Sequence, residues 1–491
     1  MNDQTQIARD QAHLAQLGYQ QELKRTLHFF ANFGVAFTYL SPVVGFYSLY
    51  AFGLQSGGPR FFWGIPIVVF GQLMVVLIFS ELANTFPLAG ALYQWARRLV
   101  TPSYGWFVGW IYGWALLVTI TAVDFGGAPY VASALGITSP SQSSLILLTL
   151  ALVLIQTAIN FVGVNRLRIL LNVGVAMEIL GTLGIGTVLL FFGHQPVSIV
   201  NQTMGVQGHG SYTPLFLVAL LFSAFIFYGF ESAADVSEEV INPRRHVPRA
   251  MITALLIGGF TTLYAVFAFL HATPNMLLAM NAAKSPNPIT YILAANFGTA
   301  VSQIFLWVVV LAFLSCGAAV QAAATRVFYS YARDGMIFGH QWLRQVSPRF
   351  QTPTNALIVS AVVALAFSLS ARFESILTSF AVVGIYLAFQ LIVLGWIIAR
   401  VKGFRAQEGG FRLGAIGPVV AALALIYGVS MMVNLARPLT PSAPWYLNYE
   451  VILATLAVLV LGAIVYFTAG IPRKLRSTGD ASGTMNAMRD A

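Results

Sequence analysis

The chain is poor in the residues that most chemistry requires. It has one cysteine and seven histidines in 491 residues, and Asp, Glu, Lys and Arg together make only 9%. The single cysteine, Cys316, excludes an intramolecular disulfide and lies in an apolar run, where it reads as a small core residue. No His/Cys set has the spacing of a metal site, no glycine-rich loop is placed to cradle phosphate, and no nucleophile stands beside a base. His194, His209 and His271 fall in or beside loops. No enzyme activity, metal or cofactor is therefore expected. A soluble domain carries about 25% charged residues, so a surface this poor in charge must face something other than water.

Apolar residues are abundant instead, at 58%. Runs longer than about 18 residues are candidate membrane helices. Reading them between polar and Pro/Gly breaks predicts twelve spans, near 28–52, 61–84, 104–135, 145–163, 168–192, 214–236, 250–271, 300–331, 354–370, 374–399, 413–434 and 449–469. Spans 9 and 10 are separated only by Ala371, Arg372 and Phe373. Residues 1–27 are polar, with no apolar stretch ahead of a small-residue cleavage site, so no removable signal peptide is expected.

The net charge is +10, and the cations lie in short loops between apolar runs, which sets membrane orientation rather than nucleic-acid binding. With a cytoplasmic N-terminus, 22 of the 26 Lys and Arg residues fall inside, and only Arg60, Lys284, Arg372 and Arg437 fall outside. A wrong helix count would scramble that alternation, so both termini are expected in the cytoplasm.

Two breaks stand out. Span 1 carries Ser41-Pro42-Val43-Val44-Gly45, and span 6 carries Tyr228-Gly229-Phe230-Glu231-Ser232. Pro42 lacks an N–H and disturbs the turn before it. Backbone groups freed in hydrocarbon survive only when buried in protein or lining a wet cavity. Spans 1 and 6 run in opposite directions, as do the long spans 3 and 8, which is the relation an inverted repeat requires. The expected organisation is a tail 1–27, a five-helix repeat 28–192, an extracellular loop 193–213, a second repeat 214–399, two further helices in 400–470 and a tail 471–491.

The acids within the spans include Asp124 in span 3, Glu178 in span 5, and Glu231 and Asp235 in span 6. A charge at the bilayer centre costs at least about 2.5–3.5 kcal/mol, so each needs a partner or a role. Glu231 is placed to hold an ammonium group. Phe227, Tyr228 and Phe230 are placed to pack over a substrate with cation–π attraction. The bland reading of each acid is a hydrogen-bonded group that only fixes packing.

The residues Phe230-Glu231-Ser232-Ala233-Ala234, Ser237-Glu238-Glu239, Asn242-Pro243-Arg244-Arg245 and Val247-Pro248-Arg249-Ala250 resemble the amino acid–polyamine–organocation transporter superfamily. So do Ser80-Glu81, Phe86-Pro87-Leu88-Ala89-Gly90 with Tyr93-Gln94-Trp95, Thr325-Arg326-Val327, Ala332-Arg333-Asp334-Gly335 and Thr352-Pro353. The Ser41-Pro42 break and the Gly57-Gly58-Pro59 exit look most like the amino acid/choline branch.

The resemblance implies an all-α polytopic fold, a five-plus-five inverted repeat with broken helices 1 and 6 and two added helices. It implies alternating-access transport of an amino acid or small amine, by proton symport or exchange. Amides near Ser41, Val43, Val44 and Gly45 would meet a substrate carboxylate, and carbonyls from Phe227 to Gly229 its amine. The chain departs from the commoner Gly-Ser-Gly pattern at this break, and position 42 offers no N–H. Glu178 falls where some relatives carry a lysine that substitutes for sodium, which makes it a coupling candidate together with Asp235 and Ser315. The expected partners are a small-molecule substrate, protons and membrane lipid. Three rivals remain open: a γ-aminobutyrate, choline or polyamine carrier, a membrane nutrient sensor, and a channel. Short tails without a signalling domain disfavour the sensor, and broken antiparallel helices disfavour the pore. Short loops suit a bacterial inner membrane.

Overall fold

The computed structural model describes residues 3–137, 139–285, 287–350, 352–369, 374–438 and 444–477. The expected gap at Ala371, Arg372 and Phe373 and the tail from 478 onward, with Arg489, lie outside them. No strand forms among the described residues; one isolated bridge joins Leu27 to Val240. The described residues form a helical bundle with ten helices long and apolar enough to cross a membrane and two shorter apolar ones, Thr213–Ile226 and Thr354–Ser368. These twelve match the expected spans in order, and they make the chain a multi-pass membrane protein.

Span 1 is two helices, Phe29–Leu40 and Pro42–Gly57, parted at Ser41, which adopts a left-handed conformation with φ 42° and ψ 84°. The cause is local, because a proline disfavours helical geometry in the residue before it. The Ser41 hydroxyl then caps the second helix by accepting from Val44 N–H at 3.1 Å.

Span 6 stops sooner than its apolar run predicts. Its helix ends at Ile226, and the chain resumes only as the short turn Ser232–Asp235. Gly229, with φ 106°, holds the extended stretch between them in a conformation side chains rarely adopt. Span 5 runs as α-helix from Val164 to Ile179, widens into a π-turn over Leu180–Gly184, and returns to α-helix at Ile185–Leu189. Span 8 belongs to a longer helical stretch, Pro288–Arg333, bent at Gly298 with φ 75°, which is where the sequence places its start.

Spans 3 (Pro102–Ala134) and 8 pack along each other through the middle of the bundle, with span 10 (Glu374–Val401) against the other side of span 3. Burial follows: 89% of the most apolar stretch of span 3 is buried, against 11% for span 12 (Glu450–Thr468). Large side chains such as Phe70, Leu147, Leu154, Ile426 and Phe467 point outward, as a lipid-facing surface requires. The segments that the charge pattern groups together meet at one end of the bundle. Asp10 accepts from Asn242 N–H, Tyr19 and Arg97 both bind Asp334, and Lys474 donates to the Gly335 carbonyl.

Spans 1 and 6 touch without a side chain between them at Gly45. A Cβ there would lie 2.3 Å from Ile226 Cγ1 and 3.1 Å from its Cα. Gly45→Ala is expected to destabilise the protein by about 1–3 kcal/mol through overpacking. Thermal unfolding in detergent checks this, and an unchanged melting temperature would show that the two helices do not meet there.

Candidate functional site

The two broken helices place their irregular segments against one another. A Cβ on Gly229 would lie 2.7 Å from Leu40 N and 2.9 Å from the Tyr39 carbonyl carbon, so only glycine lets the span 6 break lie on the end of the first half of span 1. Ser232 Oγ reaches back to the Val35 carbonyl at 3.3 Å. The Tyr39 carbonyl, which has lost its helical partner to the break, accepts from the Cys316 thiol of span 8 at 3.4 Å.

One amide and one hydroxyl of the span 1 break are engaged by a carboxylate from span 5. Ser41 Oγ donates to Glu178 Oε1, and Val43 N–H donates to Glu178 Oε2 at 2.8 Å. Gly45 N–H bonds the Ser41 carbonyl at 3.1 Å as the first helical bond. The N-terminus of a helix carries partial positive charge, so an anion is stabilised there. Gly181 lets span 5 come this close, since a Cβ on it would lie 2.7 Å from Val43 Cγ2. Tyr47 of span 1 donates to the Gly181 carbonyl inside the π-turn at 3.3 Å.

Glu231 folds onto its own break. Its Oε2 accepts from Gly229 N–H at 2.8 Å, and its Oε1 lies 3.4 Å from Tyr112 OH of span 3. Tyr112 makes its shorter bond, 2.6 Å, to Asp235 Oδ2. Phe227, Tyr228 and Phe230 are buried, with Tyr228 edge-on to Tyr39 at 6.1 Å between ring centroids. The Tyr39 hydroxyl has no hydrogen-bond partner among the described residues.

Of the residues singled out in the sequence, Ser41, Val43, Val44, Gly45 and Glu178 form one group, and Phe227, Tyr228, Gly229, Phe230, Glu231 and Asp235 form the group facing it. Ser315 lies beside them: its hydroxyl bonds the Leu311 and Leu170 carbonyls, and its side chain faces Gly174 of span 5. Asp124 stands apart, bonded to Gln156 of span 4 at 2.9 Å. Sequence reasoning passed over Tyr39 and Tyr112 and read Cys316 only as a small core residue. The first two are aromatics inside fully apolar helices, where no periodicity marks the inward face.

Beside the breaks lies a narrow cleft between the first half of span 1, span 5 and span 8, lined by Ala31, Val35, Leu171 and Ala322, with Arg326 and Glu239 in its wall. That wall belongs to a buried charge network. Arg326 pairs with Glu239 at 2.8 Å and Arg333 with Glu238 at 2.8 Å, while Glu238 also accepts from Ala89 N–H at 2.9 Å. Asp334 receives Arg97 at 2.5 Å and Tyr93 at 2.8 Å. Arg25 donates to the Val240 carbonyl, and burial pulls its guanidinium below its ordinary pKa against the opposing pull of Asp10, Glu238 and Glu239.

A family model described as amino acid permease matches residues 27–463. The amino-acid permease BAT1 of Arabidopsis thaliana is 26% identical over 473 residues, covering 89% of this chain and 90% of the relative. Its rice homolog is 27% identical, over 89% and 90%. The Neurospora crassa amino-acid permease 2 is 26% identical over 488 residues, covering 93% and 87%.

Removing one member of a buried ion pair leaves an uncompensated charge, whereas removing both need not. Arg326→Ala is expected to lower stability by about 3–5 kcal/mol, and Arg326→Met with Glu239→Leu to recover most of it. Thermal denaturation of the three proteins checks this; a double variant no better than the single would mean the pair is not an isolated unit.

Proposed function

The chain belongs to the amino acid permease family and is a multi-pass membrane transporter, and from that premise we propose how its two helix breaks handle a substrate. The substrate is an amino acid or a related small amine, moved by alternating access, with proton symport or exchange as the coupling. The observation that supports this most strongly is the direct apposition of the breaks through Gly229 and Tyr39–Leu40. Broken helices that meet supply backbone donors and acceptors in the middle of an apolar bundle, where water is otherwise excluded.

Glu231 and the carbonyls from Phe227 to Gly229 hold the amine, with Tyr39 and Tyr228 packed over it. Ser41, Val43, Val44 and Gly45 take a carboxylate if the substrate has one. Glu178 already places a carboxylate on Ser41 and Val43. That occupancy favours a second reading, in which the substrate is held mainly through its ammonium group, as a γ-aminobutyrate-, choline- or polyamine-like ligand would be. Glu178, Asp235 and Ser315 are the coupling candidates. The proposed orientation has both termini in the cytoplasm. The short loops suit a bacterial inner membrane; the relatives named above are plant and fungal.

Two variants test these roles. Glu231→Gln is expected to weaken ligand-dependent thermal stabilisation across a panel of amino acids, γ-aminobutyrate, choline and polyamines, with roughly a tenfold loss of affinity, about 1.4 kcal/mol. Unchanged affinity in a folded variant would remove Glu231 from the site. Glu178→Gln is expected to abolish uptake driven by a pH gradient while leaving substrate exchange in proteoliposomes. Full gradient-driven uptake in that variant would take Glu178 out of the coupling.

A further inference from the structure

Asp124, deep in span 3, has one satisfied oxygen and one that is not. Gln156 Nε2 of span 4 donates to Asp124 Oδ2 at 2.9 Å, while Asp124 Oδ1 and Gln156 Oε1 are buried with no partner among the described residues. Both free oxygens converge on Gly317 of span 8. A Cβ on that glycine would lie 1.9 Å from Gln156 Oε1 and 3.1 Å from Asp124 Oδ1, so the two acceptors sit within about 5 Å of one another. Turning the amide does not help, because a primary amide offers one donor face and one acceptor face to a carboxyl group with two oxygens.

From these observations we propose that Asp124 is a proton-binding site of the transporter, held as a neutral acid by Gln156 against Gly317. A proton on Oδ1 donates to Gln156 Oε1, while the Gln156 amide N–H continues to donate to Oδ2, closing a two-bond acid–amide ring. Loss of that proton leaves a carboxylate oxygen facing an amide oxygen in an apolar interior. A metal cation fits less well, since it needs more oxygen ligands than the two that converge here.

The surroundings give Asp124 no counter-charge: its electrostatic partners among the described residues include no Arg, Lys or His. From span 8 the titratable group that senses it is Cys316. Span 4 presents the amides Gln156 and Asn160 and the Thr157 hydroxyl, and span 9 gives the Ala364 carbonyl to Thr121. Tyr47 of span 1 bonds the Gly181 carbonyl, and Tyr386 of span 10 pairs with Tyr427 of span 11. Tyr466 of span 12 meets Ser103, and Tyr93 and Arg97, on the short helix Ala91–Leu99, are taken by Asp334.

The site is also joined to the helix breaks. Gly317 follows Cys316, whose thiol holds the Tyr39 carbonyl, and Asn160 of span 4 donates to the Ala318 carbonyl at 3.0 Å. A change of proton occupancy at the seam of spans 3, 4 and 8 therefore acts on the segment of span 8 that supports the span 1 break.

Infrared spectroscopy of the full-length purified protein, titrated from acid to alkaline pH in H2O and D2O, tests the site independently of the transport reading. A carboxylic-acid carbonyl band that fades at alkaline pH is expected. It should be absent in Asp124→Asn and shifted to higher frequency in Gln156→Leu, which keeps the acid but removes its partner and serves if Asp124→Asn does not fold. In proteoliposomes, Asp124→Asn, which mimics the neutral acid, should retain exchange of a radiolabelled amino acid and lose at least roughly tenfold of its stimulation by a pH gradient. Three results would overturn the proposal: no band that depends on residue 124, a band that never titrates with gradient-driven uptake intact, or thermal stabilisation by sodium ions that Asp124→Asn removes. Loss of all transport with the titrating band preserved in wild type would count against the transport reading and leave the proton site standing.

Discussion

The carboxylate of Glu178 on the opened end of span 1 is the contact on which the site's geometry depends. Pro42 forces Ser41 out of the helix and contributes no N–H of its own. The helix that follows therefore begins inside the bundle with donors exposed. Ser41 Oγ takes the Val44 amide, and Glu178 takes the Val43 amide and the Ser41 hydroxyl. In an apolar interior each unsatisfied backbone group is costly, and the carboxylate removes that cost at the opened helix end. Ser41, Pro42 and Glu178 are thus one device distributed over 137 positions of the chain. The close approaches at Gly181 and Gly45 make room for it.

At one end of the bundle, the segments that carry the family resemblance turn out to be each other's partners. Ser237–Glu239, after the span 6 break, receives Arg326 and Arg333 from the end of span 8 and Ala89 from the loop after span 2. Gln94 and Tyr93 of the next helix join Asp334. Glu81 accepts from Trp396 of span 10 and Leu413 N–H before span 11. Short motifs scattered over several spans resolve into one polar plate. Its charges are paired because they are buried, and a buried pair disrupted on one side is a liability. The extended segment before span 1 is stitched into the same plate by Thr26 and Leu27 N–H to the Glu239 carbonyl.

Much of the bundle was legible because its signals are local. Apolar run length gave the spans, Pro42 gave the first break, and Gly229 and Gly298 gave the second break and the start of span 8. The helix of span 6 ends at Ile226 rather than continuing toward 236, because the extended stretch around Gly229 is fitted to Tyr39 and Leu40, which only tertiary structure brings near. Pairings were not legible. Span 3 is apolar on every side, so nothing in its pattern marks which face carries Tyr112 or Asp124. Gln156 lies 32 residues from Asp124 and Arg326 lies 87 from Glu239, distances over which a sequence alone carries no geometric information. The π-turn in span 5 was equally silent, since its residues, Leu180–Gly184, are ordinary for a membrane helix.

That π-turn has a mechanical meaning. A π-turn holds one residue more than the α-helix needs for the same rise, so it acts as stored slack in a rod that is otherwise inextensible. If the wide turn migrates one position along span 5, the residues it passes rotate by about 100°, one residue's share of a helical turn, while the ends of the span stay where they are. Glu178 stands two residues before the turn, and the Gly181 carbonyl within it is tethered to Tyr47. A shift of two positions toward the start of span 5 would bring Glu178 into the wide turn and rotate it relative to the Val43 amide that it holds.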